Sequence, residues 1–485
     1  MSLRNMTFST ILISSVSMFK MLSQFFVLPL LARFLTPEDY GLIALAVPFI
    51  LFSVVFAHSG MGSSLLRDDE RNHKIWSSCF WFVTLVGVGL TLFIVAISPI
   101  AAWFFQTPKL MPVLSIMSLS IFFQSLTIVP ITSLRQQKKF GQLASISMVS
   151  ITLGMITAVA VAVMGGGVWA IVLQGIVLNG SLTIFSFFKS DFRPQFKYDF
   201  SVIKEHLSFG YTVTGAVFID FFKDTFRSFA IGKIFGTTLL GFYALAFLFL
   251  NLPFQILKIV FSSVIYTYLV SFRENKQLLR EMFLLLTRVL FILVFPAMGM
   301  LAVAHEPVFH ILLSEKWDLT GKLFMLAAPA AALNALSCVR IAFLQILGDV
   351  QKNVRCSIES LLLQIALFIG FVWYGLEAVV ISMALAWALY YLRDTSILIE
   401  KLDCNWIAYL KTIFSPILAT ALGALCYVII IRQFAITDEL LQMGTAILIG
   451  VFVLMVSILF QLRRFRKDIV LMKELFDKKT LPQTL

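Results

Sequence analysis

The sequence has little charge. Of its 485 residues only 13% are Asp, Glu, Lys or Arg, against 59% hydrophobic, a balance outside the range of soluble globular chains. Cysteine is scarce as well: Cys79, Cys338, Cys356 and Cys426 lie in apolar stretches and Cys404 in a polar loop. With no CxxC pair and no Cys/His cluster, neither a disulfide framework nor a metal site is expected, and no cofactor motif is found. A signal-peptide core is also missing. One basic residue, Arg4, precedes a first apolar segment of about 25 residues, too long for such a core and lacking a small-x-small cleavage site, so it reads as a retained first span. Long polar loops are absent except at 189–205 and 305–321. Nothing outside the membrane is large enough to hold an active site of its own.

What the chain does have is apolar length. Runs of 18 or more apolar residues recur along nearly all of it, whereas a transmembrane barrel would show alternating segments of about ten. The expectation is an all-α polytopic membrane protein of about fourteen spans, at 9–33, 41–64, 76–104, 111–133, 141–164, 168–188, 207–232, 239–266, 282–304, 322–346, 354–374, 377–396, 409–431 and 440–461. An even count puts both termini on one side, and the basic residues choose it. With the termini inside, 26 of the 38 Lys and Arg fall in inner loops and tails and six outside, which makes the termini cytoplasmic. The net charge of +12 therefore reflects topology, and no nucleic-acid partner is expected. The tail at 463–479 is a basic anchor that favours anionic lipid.

One span breaks the apolar rule. Between 209 and 232 it carries Asp220, Lys223, Asp224 and Arg227, which at roughly 100° per residue share an arc of about 100°. Each charge left in hydrocarbon costs about 2.5 to 3.5 kcal/mol, so the stripe must face protein or a wet cavity. Two readings follow: internal salt bridges of Asp220 with Lys223 or Asp224 with Arg227, or a substrate or ion pathway in which Asp220 and Asp224 serve ion coupling or charge balance.

The chain also repeats itself. At an offset of 200, ARFLTPEDYGLIALA (32–46) pairs with GKIFGTTLLGFYALA (232–246), matching Gly41 with Gly241 and Arg33 with Lys233; Lys20 then stands opposite Asp220. Near an offset of 210, Ser147 and Ser150 pair with Ser357 and Ser360. The halves are two parallel-related six-helix lobes, 1–200 and 201–403, followed by spans 13 and 14 (404–462) and the tail (463–485). Paired bundles of this kind place substrate between the halves near the midplane. Lys20 and Asp220 each lie about twelve or thirteen residues into a span, near mid-bilayer at 1.5 Å per residue. Prolines 29, 48, 130, 253, 296, 329 and 416 fall inside spans, where they bend helices; Pro48 and Pro253 are candidate hinges.

The opening SLRNMTF, the stretch LARFLTPEDYGLIALA (31–46), SGMGSSLLRDD (59–69) and EPVFHILLSEKW (306–317) resemble the Wzx-like polysaccharide and O-antigen flippases, the polysaccharide-transporter branch of the multidrug/oligosaccharidyl-lipid/polysaccharide exporter superfamily. Ser314 stands where a glycine is more usual. The resemblance implies translocation of undecaprenyl-pyrophosphate-linked oligosaccharide across the bacterial inner membrane, with a glycan polymerase and other assembly proteins as partners. Such a cargo needs cations for its phosphates. Lys20, Lys223, Arg227, Lys258 and Arg340 can supply them in a central cleft, arginine bonding two oxygens at once; Arg288 and Arg340 can equally snorkel to the inner interface. Tyr211, Tyr243 and Tyr266 are candidates to stack on sugars. The competing readings are a cation-coupled multidrug exporter of the same superfamily and a membrane-embedded polymerase. The short outer loops argue against the polymerase, and no enzymatic activity is expected.

Overall fold

The computed structural model describes residues 3–58, 61–66, 72–196 and 199–478, with side chains outside the description at 3–14, 24, 54–58, 63, 200–224, 263–264, 350 and 462–478. Among the described residues every regular element is a helix. That is what an apolar chain must do in hydrocarbon, where helices satisfy every backbone N–H and C=O internally. The longer helices are α1 (Leu3–Phe34), α2 (Pro37–His58), α3 (His73–Phe104), α4 (Leu110–Gln136), α5 (Phe140–Val163), α6 (Trp169–Lys189), α7 (Phe200–Val260), α8 (Lys276–Val303), α9 (His305–Leu313), α10 (Glu315–Ile346), α11 (Val350–Phe371), α12 (Leu376–Lys401), α13 (Trp406–Gln433) and α14 (Glu439–Lys478). The chain is a multi-pass membrane protein.

Twelve helices among the described residues are long and apolar enough to cross a membrane, two fewer than the spans expected. The differences fall at α2, a 22-residue helix outside those twelve, and at α7. There the expected spans 207–232 and 239–266 form one run interrupted at Gly236, whose φ of 83° and ψ of 174° leave the helical path. Only glycine takes that conformation without strain. All seven span prolines lie inside helices.

Residue contacts divide the chain into two compact units, Met1–Leu245 with Leu312–Ser314, and Ala246–Ile311 with Glu315–Leu485. The dividing point lies inside α7, whereas the lobes at 1–200 and 201–403 rest on sequence equivalence. In the first unit Met61, Leu65, Trp76, Phe80 and Val129 form a buried cluster that Phe192 completes. Phe192 belongs to the segment expected to be a linker. Instead it is a strap: the Gln195 N–H donates to Ser77 Oγ (3.1 Å), Trp81 Nε1 donates to the Gln195 carbonyl (2.9 Å), and Lys74 pairs with Asp199 (2.8 Å). In the second unit α8, α10, α12 and α13 pack around Phe283, Phe291, Phe343, Tyr391 and Tyr409.

The repeat is visible in the coordinates. At an offset of 210, α5 starts at Phe140 and α11 at Val350, each preceded by a residue of positive φ, Lys138 (58°) and Gly348 (77°). Ser150 and Ser360 are both buried. The same offset relates two ion pairs with their signs exchanged: Lys139 with Asp191 at 3.2 Å, and Asp349 with Lys401. At an offset of 200 the match is reciprocal. A Cβ on Gly41 would lie 1.8 Å from the Thr237 carbonyl oxygen, and one on Gly241 would lie 1.7 Å from that of Pro37. Residue 41 meets 237 as 241 meets 37, the signature of a two-fold contact, here inside the first unit.

Candidate functional site: buried cations and the ties at helix ends

The expected cations divide by unit and by burial. On α7, Arg227 is buried, next to Thr225, also buried. Two residues on, Phe229 packs on Phe49 of α2 and Phe105 (ring centroids 5.0 and 5.4 Å). Lys20 of α1 is exposed. The side chains of Asp220, Lys223 and Asp224 lie outside the described residues, and so does that of Tyr211; the charged stripe is therefore seen only at Arg227. Tyr243 is buried in the first unit, packed rather than presented to a sugar, and Tyr266 is half-buried in the second.

In the second unit Lys258 is exposed, its Nζ 5.9 Å from the centre of the Phe254 ring. Arg340 is buried. Its Nε lies 2.7 Å from Asp394 Oδ2, with both side chains about 5% exposed, and its Nη1 donates to Asn353 Oδ1. The Tyr391 and Tyr409 hydroxyls bond to each other, Thr395 Oγ1 stands 3.3 Å from Tyr409, and these groups line a narrow pocket with Arg340 and Asp394. Arg288 is buried too, 6% exposed. Neither arginine snorkels. Each sits inside a helix bundle where protein partners replace water, so the interfacial reading fails. Asp394 escaped the sequence reading because it lies two residues from the expected end of its span; an arginine within an apolar run was the signal that an acid had to be nearby.

The motifs that carried the resemblance tie down helix ends. In TPEDYG, Thr36 N–H and Oγ1 donate to Asp39 Oδ2 (2.9 and 2.8 Å) while the Asp39 N–H donates to Thr36 Oγ1 (3.3 Å), a reciprocal cap of the kind that starts helices. Asp39 Oδ1 accepts from the Val168 N–H (3.2 Å), Glu38 pairs with Lys109 (2.9 Å), and Tyr40 donates to the Leu28 carbonyl (3.2 Å). In EPVFHILLSEKW, Ser314 has φ of 93°, which explains why glycine suits that position. Trp317 is fully buried. His310 bonds Glu439 Oε1 through Nδ1 (2.8 Å) and Asp318 Oδ1 through Nε2. An imidazole donating from both nitrogens is protonated. Burial alone would lower the His310 pKa, but the two carboxylates outweigh it and raise it; burial lowers that of His305. At the opposite helix ends, the hydrogen bond from Lys401 holds Asp349 below the usual carboxylate range. Among the described residues no group of three or more His, Cys, Asp or Glu is placed to hold a metal ion.

Comparison with known proteins gives one family and one fold. The profile of the family described as "Polysaccharide biosynthesis protein" matches residues 30–322. Among curated relatives, the succinoglycan biosynthesis transport protein ExoT of Rhizobium meliloti (strain 1021) is 25% identical over 65% of this chain and 62% of its own length. The teichuronic acid biosynthesis protein TuaB of Bacillus subtilis (strain 168) is 24% identical over 76% of this chain and 77% of its own. The chain thus spans less than two thirds of ExoT and about three quarters of TuaB. Among solved structures, the lipid II flippase MurJ in its inward closed conformation superposes with a TM-score of 0.75 at 17% identity, covering 94% of this chain and 100% of MurJ. An inward-facing multidrug transporter of the MATE family gives 0.54 at 16% identity, covering 80% and 94%. At these identities the likeness is one of fold.

Proposed function

The chain belongs to the polysaccharide biosynthesis protein family, and from that membership we propose that it is a flippase for lipid-linked oligosaccharide. It carries repeat units on undecaprenyl pyrophosphate from the cytoplasmic to the outer leaflet of the bacterial inner membrane, for lipopolysaccharide, capsule or exopolysaccharide assembly. The observation that supports this most is a fold matched along the whole of a lipid flippase. The likeness to the multidrug exporter is weaker, which favours the lipid-linked cargo over the drug-export reading. The count of basic residues puts both termini in the cytoplasm. A glycan polymerase and other assembly proteins are the expected partners.

Buried guanidinium groups suit such a cargo. A cation inside a span is costly unless it meets an anion, and Arg227 and Arg340 are held ready inside helices. In this reading Lys20, Lys223, Arg227, Lys258 and Arg340 receive the pyrophosphate in turn. Asp220 and Asp224 neutralise the first lobe's cations or carry a coupled proton. The two repeat-related lobes, 1–200 and 201–403, rock about their pseudo-two-fold axis, as parallel-repeat transporters do.

Complementation tests the assignment. In a strain lacking its own polysaccharide flippase, the wild-type chain restores surface glycan, whereas Arg227→Ala and Lys20→Ala do not, at equal abundance in the membrane. Restoration by both variants would rule out these residues as part of the path.

A further inference from the structure

A second group of charges lies on α11 and α12, beyond the cations considered above. Arg355 Nε is 3.0 Å from Glu359 Oε1, one turn along α11, and Arg393 of α12 pairs with the other oxygen, Oε2. One carboxylate thus occupies two guanidinium groups from two helices. The helices form an antiparallel hairpin through the turn Val372–Tyr374, so Arg355 near the start of α11 and Arg393 near the end of α12 lie at the same end. Glu359, Arg393, Asp394 and Arg340 are all close enough to the buried Cys356 to act on it electrostatically. The charges run in sequence from exposed to buried: the Arg355 and Arg393 side chains are 79% and 50% exposed, Glu359 29%, and Arg340 and Asp394 about 5%.

The surroundings of the outer pair are apolar. Ile358 and Leu362 follow Arg355 on its face of α11, and Leu389 and Leu392 precede Arg393 on α12, all exposed large side chains. On a membrane-spanning hairpin, exposed apolar side chains of this kind are suited to contact with hydrocarbon. A ligand for this place carries oxyanions at one end and hydrocarbon at the other.

We propose that Arg355, Arg393 and Glu359 form the reception site for the pyrophosphate of a polyprenyl lipid, its tail lying along the apolar stripe of α11 and α12, and that Arg340 takes the headgroup inward; this rests on the flippase reading above. Glu359 holds the place of a phosphate oxygen pair in the empty state. An ordinary phospholipid diester bears the same single charge as Glu359 and gains nothing by displacing it. A pyrophosphate carries more charge and bonds both forks at once, so it wins the exchange. Asp394 then stands to Arg340 as Glu359 stands to the outer pair, a resident anion that gives way to the cargo.

The test uses the full chain in nanodiscs and measures binding of undecaprenyl pyrophosphate, with phosphatidylglycerol content varied separately. Arg355→Gln with Arg393→Gln should weaken binding by roughly tenfold, a modest loss for two charge-assisted bonds. Glu359→Gln should tighten it several-fold, a gain that misfolding cannot produce. Phosphatidylglycerol should leave the wild-type value unchanged. Wild-type binding in the double variant, or no gain with Glu359→Gln, would overturn the reception site while the flippase reading stands. Displacement of the polyprenyl lipid by phosphatidylglycerol would make this a site for bulk anionic lipid and overturn it equally. A wild-type chain that binds no undecaprenyl pyrophosphate would overturn both readings.

Discussion

Arg340 and Asp394 stand 2.7 Å apart with almost no exposure, so removing one leaves the other charged and buried. Breaking such a pair costs about 3 to 5 kcal/mol, whereas replacing both with apolar residues of similar size is close to neutral. Arg340→Met and Asp394→Leu should each lower thermal stability sharply. The double variant should recover most of it yet fail to export glycan; full recovery of export would make the pair purely structural. At His310 the predicted effect depends on pH. Because its folded pKa is raised above the ordinary value of about 6.5, its contribution is complete below about 6.5 and is lost as pH rises through the folded value. Unfolding midpoints of the purified chain should fall more steeply with alkaline pH in the wild type than in His310→Gln; parallel curves would contradict this. Ser314, at φ of 93°, should gain about 1 kcal/mol on change to glycine, by relief of backbone strain. At this scale the sequence exposes an arginine in an apolar run because the cost is local. It conceals Asp394 and Asn353 as partners of Arg340, and Arg393 as a second partner of Glu359, because those pairings depend on how α10, α11 and α12 pack.

Among the elements, the crossing of α2 and α7 is the least tolerant. A methyl group on Gly41 or Gly241 meets backbone at under 2 Å, and backbone cannot give way as a side-chain tip can. Gly41→Ala and Gly241→Ala should each part the two helix starts and lower the unfolding midpoint. Gly89→Ala, with nothing within 4 Å, should be neutral or gain up to about 1 kcal/mol from helix propensity. Equal midpoints for all three would show that the contact is loose. Helices were legible because apolar runs and turn residues are local signals, and the glycine match at 41 and 241 was legible because identity is easy to see. The ion pairs of Lys139 with Asp191 and Asp349 with Lys401 were not. Exchange of sign removes the similarity while keeping the bond. The strap at Phe192 was missed for another reason: a polar segment with scattered aromatics reads as linker until the cavity that one of them fills is known.

For the whole molecule, the family is that of polysaccharide biosynthesis proteins and the fold is shared with a lipid flippase; the transport path proposed here is one of cations met in sequence by a pyrophosphate. Composition alone established a helical membrane protein. The proposed cargo class rests on the motifs at 31–46 and 306–317, whose described residues tie down helix ends, so the resemblance pointed to the fold without pointing to the site. The most direct measurement is reconstitution. Purified chain in sealed proteoliposomes, loaded on one leaflet with undecaprenyl-pyrophosphate-linked oligosaccharide, should expose the glycan to a non-penetrating glycosidase on the other side. The wild-type chain should do so much faster than protein-free vesicles, and Arg227→Ala should fall near the protein-free rate. Equal rates with and without the wild-type chain would contradict the account.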